Sequence, residues 1–163
     1  PLREIIYDHC GGIRGGRKLK AVIPGGSSVP ILAADQVDVR MDFDSVAKAG
    51  SMLGSAGVIV MDDTTCMVKA AQRITKFYAE ESCGQCTQCR EGTNWLLQIL
   101  QRIEHGKGKP GELEILLDIC TNMKGRTICP LSDACAMPVE SYVQNFYEEF
   151  ATHIREQRCP IGQ

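Results

Sequence analysis

The chain has 163 residues, of which 44% are apolar and 23% are charged. This composition is typical of one compact domain or two small ones, and it excludes a disordered chain. The 18 Lys and Arg residues nearly balance 20 Asp and Glu residues, and a net charge of −2 offers no broad basic surface to a nucleic-acid backbone. We therefore expect no nucleic-acid partner.

The ends and apolar stretches of the chain give two further expectations. No apolar stretch approaches the ~20 residues of a membrane-spanning helix, so we expect no direct membrane insertion. The sequence begins Pro1-Leu2-Arg3 without an initiator Met or a signal-peptide pattern. We therefore expect its start to be a boundary within a longer protein.

The first third of the chain is rich in glycine and predicts a small α+β module. Gly11 to Gly16 lacks the glycine order and the following Lys-Ser or Lys-Thr of a phosphate-binding loop, so its glycines are interpreted as turn residues. Alternating residues that lead into Pro24-Gly25-Gly26 predict a strand and a turn. The predicted elements are a helix over 2–10, a strand over 18–23, a short helix over 44–49 and a buried strand over 58–61.

From residue 62 the apolar residues follow a helical period and predict four amphipathic helices in an antiparallel bundle. Asp62 to Thr65 offer N-caps for the first helix. Trp95 and the apolar residues after it form the face of the second, which ends at His105-Gly106. The third carries a stripe from Leu113 to Met123, and the last runs from Val139 to Ile154. The predicted loops are Thr87–Thr93 and Gly106–Gly111.

Nine cysteines are many for a chain of this length, and an odd number suits a metal centre in a reducing compartment better than a disulfide framework. Cys83, Cys86 and Cys89 follow one another at three-residue spacing. Three such thiolates can converge on one polynuclear iron centre. Bacterial ferredoxins place a fourth cysteine where this chain has Thr93, so the fourth ligand must come from a distant segment.

Three downstream cysteines could supply that ligand. Cys120 lies on the apolar stripe of the third helix and is better interpreted as a buried small hydrophobe. Cys135 lies in or near the last helix and stays possible. Cys129, in Thr127-Ile128-Cys129-Pro130-Leu131, lies in a predicted interhelical loop from which it can be directed at a cluster. We prefer Cys129.

Residues around the triplet suggest how its charge is stabilised. Ser82 and Gln85 resemble a capping box that would open the segment with exposed N–H groups. Together with Arg90, and with Lys124 or Arg126, such donors would stabilise a negatively charged cluster. For each cation alone, a solvated surface position is the more ordinary interpretation.

Zinc is the main alternative metal, because four cysteines around a tetrahedral ion would also stabilise a small bundle. Zinc ribbons usually bring two separate Cys-x-x-Cys pairs, whereas this chain has a triplet and a distant single cysteine, so the spacing favours iron and sulfur. Of the other candidates, Cys10 and Cys66 are expected in the core and Cys159 in an exposed tail. The three histidines, expected to be surface or capping residues, are His9, His105 and His153.

Three parts of the sequence together resemble a known family: the segment from Glu81 to Gly92, Trp95 after it, and Thr127 to Leu131 further on. They closely resemble the C-terminal part of the flavoprotein (NADH-binding, F-type) subunit of respiratory NADH:quinone oxidoreductase, complex I. The resemblance includes Lys20 to Ser28 and Leu53 to Met61, and so spans nearly the whole chain. It implies an α+β chain with two domains. Residues 1–61 would form a soluble-ligand-binding, β-grasp-like module lacking its first strand, and residues 62–163 a four-helix bundle.

In that family the bundle holds one [4Fe–4S] cluster. Carried over by position, the resemblance implies that Cys83, Cys86, Cys89 and Cys129 are its ligands. The family often has Pro where Gln88 stands, and Gly and Ala where Ser132 and Cys135 stand. Cys135 therefore remains a possible substitute ligand.

The resemblance further implies an electron relay within an oxidoreductase. FMN and NADH would bind a domain that precedes this chain, and the cluster would pass single electrons to neighbouring peripheral-arm subunits, namely a thioredoxin-like [2Fe–2S] subunit and a multi-cluster iron–sulfur subunit. The location would be peripheral, on the cytoplasmic side of a bacterial inner membrane or the matrix side in mitochondria. The alternatives are the equivalent subunit of an NAD-reducing hydrogenase or NAD-dependent formate dehydrogenase, and a zinc-stabilised interaction scaffold.

Overall fold

The structure is a computed structural model that describes residues 1–162. The chain divides into two compact units, Pro1–Thr65 and a second that begins at Cys66. The first unit is α+β, as the sequence predicts. Its elements are α1 (Leu2–Glu4), which continues as a π-helical turn (Ile5–His9), a 3-10 turn (Arg14–Gly16), β1 (Leu19–Ile23), β2 (Leu32–Ala33), a 3-10 turn (Ala34–Gln36), α2 (Phe43–Lys48) and β3 (Ile59–Asp62).

A three-stranded antiparallel sheet with the order β2-β1-β3 forms the centre of the first unit. In β1, Val22 lies opposite Leu32 on one side and Val60 on the other. The predicted strand over 58–61 is therefore present, but it is an edge strand. The side chains of Ile59 and Val60 remain 47% and 39% exposed, so the expectation that this strand is buried is wrong. The core of the unit consists of Leu2, Ile6, Val22, Leu32 and Val37.

Two glycine-rich segments of the first unit are hydrogen-bonded to each other. Gly26 N donates to Gly57 O over 2.9 Å, and Ser55 N donates to Gly25 O over 3.1 Å. A Cβ on Gly25 would collide with the carbonyl oxygens of Met52 and Leu53. Close approach of the two backbones therefore requires glycine at position 25.

Five α-helices make up the second unit. They are α3 (Met67–Glu81), α4 (Thr87–Glu104), α5 (Glu112–Met123), α6 (Leu131–Asn145) and α7 (Tyr147–Glu156). Helix α3 packs on α4 and α6, α5 packs on the same two helices, and α7 contacts α3, α4 and α6. Large side chains from all five helices are fully buried, among them Met67, Leu96, Leu100, Leu116, Tyr142 and Phe150.

The final predicted helix is two helices in the structure, and the chain breaks at Phe146, whose φ and ψ are −127° and 33°. The predicted loop over Thr87–Thr93 is wrong, because these residues form the first turns of α4. The predicted loop over Gly106–Gly111 is confirmed. Trp95, assigned to the buried face of α4, is 53% exposed.

The start of α3 also differs from its predicted form. Cys66, rather than any residue from Asp62 to Thr65, is the N-cap, and its Sγ accepts from Lys69 N over 3.4 Å. The Asp62 carboxylate instead accepts hydrogen bonds from Thr64 and Arg17. These bonds lower the pKa of Asp62 to about 2. None of the helices that the structure describes is both long and apolar enough to span a membrane.

Candidate metal centre

The cysteine triplet lies where α3 ends and α4 begins. Ser82 is the C-cap of α3, and Gly84 has a φ of +78°, a left-handed conformation that turns the chain at little steric cost. Cys83 is exposed in this turn, Cys86 is the half-buried N-cap of α4, and Cys89 lies in its first turn with 7% exposure. The three thiols therefore extend from solvent into the helical core.

Hydrogen bonds within the turn hold it in place. Ser82 Oγ accepts from Gly84 N over 3.3 Å and also lies 3.3 Å from Cys89 Sγ. Arg90 Nη1 donates to Gly84 O over 2.6 Å, so a side chain of α4 is hydrogen-bonded to the turn that precedes the helix. The predicted capping box of Ser82 and Gln85 is wrong, because Gly84 turns the chain away and no helix begins there.

Cys129 lies in the segment that joins α5 to α6 and is exposed. The segment is fixed by two bonds, from Thr127 Oγ1 to Cys129 O over 2.9 Å and from Gly125 N to Asp133 Oδ1 over 2.8 Å. Ile128 N, next to Cys129, donates to Cys86 Sγ over 3.4 Å. This bond joins the Cys129 segment to the triplet, although 42 residues separate its two partners.

The two other downstream cysteines lie inside the helical unit. Cys120 and Cys135 both have 0% exposure. Burial raises the pKa of Cys120 to about 12 and raises that of Cys135 further above its ordinary value. The prediction that Cys120 is a buried small hydrophobe is confirmed. Cys135 is a buried thiol within α6, and its pKa is raised also by the nearby thiols of Cys120 and Cys89.

The three cations expected near a cluster each have another polar partner. Arg90 Nε pairs with Glu91 over 2.9 Å. Lys124 Nζ pairs with Glu140 over 2.5 Å, and Arg126 Nη1 donates to Asn122 Oδ1 over 3.3 Å. The charges of Arg90 and Lys124 are thus offset by carboxylates. A backbone N–H, that of Ile128, donates to the triplet sulfur of Cys86, and the sequence pattern does not predict this bond.

The remaining cysteines and histidines are placed partly as predicted. His9 and His105 are exposed, and Cys66 is buried with 1% exposure, all as expected. Cys10 is exposed rather than in the core. His153, expected to be a surface or capping residue, is fully buried and is therefore not at the surface. The remaining cysteine, Cys159, is half-buried rather than exposed.

These positions describe the second unit as a helical domain with a candidate metal centre lined by thiols. Thiolates in this arrangement can bind an iron–sulfur cluster or a zinc ion. The family model described as the NADH-ubiquinone oxidoreductase-F iron-sulfur binding region matches residues 69–153, a range that includes the triplet and Cys129. The chain belongs to this family. The match confirms the resemblance and the predicted [4Fe–4S] cofactor.

Curated relatives agree with this assignment, and the three described below are F subunits of NADH-quinone oxidoreductases. The chain is 53% identical over 160 residues to the F subunit numbered 2 of Rhizobium meliloti (strain 1021), covering 98% of the chain and 38% of the relative. It is 47% identical to the F subunit of Rickettsia typhi over 95% of the chain and 37% of the relative. It is also 47% identical to the F subunit of Streptomyces coelicolor over 98% of the chain and 35% of the relative. The chain thus spans under two fifths of each of these relatives.

Among solved structures, the fold is similar to a chain of an NAD+-reducing [NiFe]-hydrogenase in the air-oxidized state. The TM-score is 0.74 at 24% identity, covering 87% of this chain and 24% of that one. The H2-reduced state gives a TM-score of 0.71 at the same identity, covering 95% of this chain and 26% of that one. At this identity the likeness concerns the fold.

Proposed function

We propose that Cys83, Cys86, Cys89 and Cys129 are the ligands of the [4Fe–4S] cluster, one thiolate for each iron. The observation that carries this assignment is the bond from Ile128 N to Cys86 Sγ, because it holds the residue next to Cys129 against the triplet. Cys135 is the weaker candidate, since its thiol lies inside α6 with 0% exposure and burial favours its protonated form.

The side chains and backbone of this site suit a negatively charged group. A [4Fe–4S] cluster, when bound, accepts and releases single electrons. Ile128 N–H points at Cys86 Sγ, and such a donor stabilises additional negative charge on a thiolate. Ser82 Oγ lies against Cys89 Sγ and can act in the same way. The chain therefore provides both the ligands and the donors that set how readily an electron is accepted.

We propose further that the chain is the electron-relay portion of the F subunit of an NADH-quinone oxidoreductase. The relatives carry that name, and since the chain spans under two fifths of them, NADH oxidation and the FMN site are assigned to sequence outside it. In this proposal residues 62–163 form a cluster-binding antiparallel bundle of four principal helices, supported by the mutual packing of α3 to α6. Residues 1–61 are the β-grasp-like module.

The proposal includes partner subunits that accept the electrons. In a multi-subunit oxidoreductase these are the thioredoxin-like [2Fe–2S] subunit and the multi-cluster iron–sulfur subunit. The complex would place this chain at the cytoplasmic side of a bacterial inner membrane or the mitochondrial matrix side. The equivalent subunit of an NAD-reducing hydrogenase is the second candidate, favoured by the similarity of fold.

The test is the metal and sulfide content of anaerobically reconstituted protein, together with an EPR spectrum after dithionite reduction. About four irons and four sulfides per chain are expected, with a signal from one reduced cluster. Cys129→Ser should lose at least a quarter of the iron and change the signal, whereas Cys135→Ser should keep both. Zinc without sulfide at these cysteines would instead support the interaction scaffold, and loss of the cluster only in Cys135→Ser would reassign the fourth ligand.

A further inference from the structure

A second group of metal-binding side chains lies in the helical unit. The ligand atoms of Cys66, His153 and Cys159 all lie within 4.8 Å of one another. Cys66 Sγ is 3.3 Å from His153 Nε2. Cys66 and His153 are buried and Cys159 is half-buried. None of these three residues is a proposed ligand of the [4Fe–4S] cluster.

Three separate segments bring these side chains together. Cys66 is the N-cap of α3, His153 is in the last turn of α7, and Cys159 follows the end of α7. Gln157, with a φ of +51°, ends α7 and turns the chain. Its carbonyl packs so closely on Gly106 that a Cβ there would collide with it. The segment that carries Cys159 is therefore fixed against the end of α4.

Protein contacts fix the backbone around the group. Glu149 Oε1 of α7 accepts from Met67 N over 2.8 Å, which joins α7 to the N-terminus of α3. His153 Nδ1 lies 2.8 Å from Glu149 O. A carbonyl oxygen only accepts, so Nδ1 carries the proton and donates it. His153 Nε2 is then left with its lone pair directed at Cys66 Sγ.

This tautomer is the one found in metal sites, where the non-ligating nitrogen of a histidine donates to a carbonyl or carboxylate. Zinc bonds of about 2.3 Å to sulfur and about 2.0 Å to nitrogen give tetrahedral edges of about 3.5 Å between S and N and about 3.8 Å between two S atoms. Cys66 Sγ lies 3.3 Å from His153 Nε2, and all three ligand atoms lie within 4.8 Å of one another. Small side-chain rotations would therefore bring them to the separations of a zinc site.

Charge also favours a divalent ion at this position. Two thiolates and a neutral imidazole around Zn²⁺ have no net charge, which suits a buried site. Thiolate and imidazole donors favour zinc over magnesium or calcium, which prefer oxygen ligands. On binding, the two thiol protons are released to solvent.

We propose that Cys66, His153 and Cys159 bind a Zn²⁺ ion, with water as the fourth ligand. The ion would fasten the start of α3 to the end of α7 and to the segment after it. This site is independent of the iron–sulfur proposal, because the two ligand sets share no residue and call for different metals.

The test uses the full-length protein, or the complex that contains it, purified without added metal. Zinc and iron are measured by mass spectrometry, and the ligands by X-ray absorption at the zinc edge. The expected result is about one zinc per chain with two sulfur ligands at about 2.3 Å and nitrogen or oxygen ligands at about 2.0 Å. Chains without zinc, or zinc with four sulfur ligands, would overturn the proposal.

Variants separate this site from the cluster. Cys159→Ser and His153→Gln should each lower zinc content at least tenfold while iron stays unchanged. Cys159 is only half-buried, so Cys159→Ser keeps the test valid if His153→Gln fails to fold. The matched control is Cys10→Ser, at an exposed cysteine of the other unit, which should retain zinc. Unchanged zinc in Cys159→Ser, or a Cys66–Cys159 disulfide in the native protein detected by alkylation and mass spectrometry, would refute the proposal.

Discussion

Ile128 N donates to Cys86 Sγ over 3.4 Å, which joins two segments that are distant in the chain. If Cys86 is a cluster ligand, this donor stabilises the more negative, reduced form. Ile128→Pro removes the N–H, so we expect the reduction potential to fall by an amount on the order of tens of millivolts. Redox titration followed by EPR measures the shift.

The matched control is Ile128→Ala, which keeps the N–H and alters only a side chain that is 86% exposed. Its potential should equal that of the unmodified protein. A potential that is unchanged or higher in Ile128→Pro, with iron content intact, would contradict a role for this bond in setting the potential.

A second prediction concerns the close packing of α4 on α5. A Cβ on Gly92 would lie 2.6 Å from Met123 Sδ, and Met123 is buried with 1% exposure. The gain in helix propensity from Gly92→Ala is about 1 kcal/mol, and the overpacking cost of about 1–3 kcal/mol exceeds it if buried Met123 has no room to move. We expect net destabilisation in urea unfolding. Gln98→Ala, at an exposed position of the same helix, should change the free energy of unfolding by less than about 0.5 kcal/mol.

The third prediction concerns an ion pair at the start of α5. Glu112, whose side chain is 4% exposed, accepts from Arg102 Nε over 2.9 Å and from Lys109 N over 3.0 Å. Arg102→Met leaves a buried carboxylate without its cation. We expect a loss of about 2–3 kcal/mol in the free energy of unfolding, which is below the roughly 3–5 kcal/mol of fully buried pairs because Arg102 is 40% exposed.

Lys76→Met serves as its control, because the Lys76–Glu80 pair is exposed on both sides. An exposed pair of this kind contributes less than about 0.5 kcal/mol. Equal losses in the two variants would mean that the burial of Glu112 adds nothing to the strength of its pairing with Arg102.

Local features of the site can be predicted from the sequence, and features that depend on tertiary contacts cannot. The spacing of Cys83, Cys86 and Cys89 is itself a ligand pattern, so it indicates a metal centre without a structure. Residues 87–93 favour a loop on local grounds, because Thr, Cys and Gly have weak helix propensity. In the structure, burial of Cys89 and Gly92 outweighs that propensity and the segment is helical.

The sequence pattern indicates that His153 is buried, but it does not indicate which residues His153 contacts. The residue stands three positions after Phe150 and seven after Phe146, on the apolar face expected for a helix. That position favours burial, and the structure places the ring at 0% exposure. Its approach to Cys66 depends on the packing of α7 against α3, which no local pattern contains.

The last prediction uses the buried thiol of Cys120. Its pKa is raised to about 12 in the folded chain, chiefly by desolvation, against 9.0 for a free thiol. Between these values the unfolded chain loses a proton that the folded chain keeps, so stability falls as pH rises above about 9. Cys120→Ala removes this contribution. The stability of the unmodified chain relative to Cys120→Ala should therefore fall by about 1 kcal/mol from pH 8 to pH 10, measured by urea unfolding with a non-thiol reductant. A constant difference over this range would mean that the Cys120 thiol ionises as readily in the folded chain as in the unfolded one.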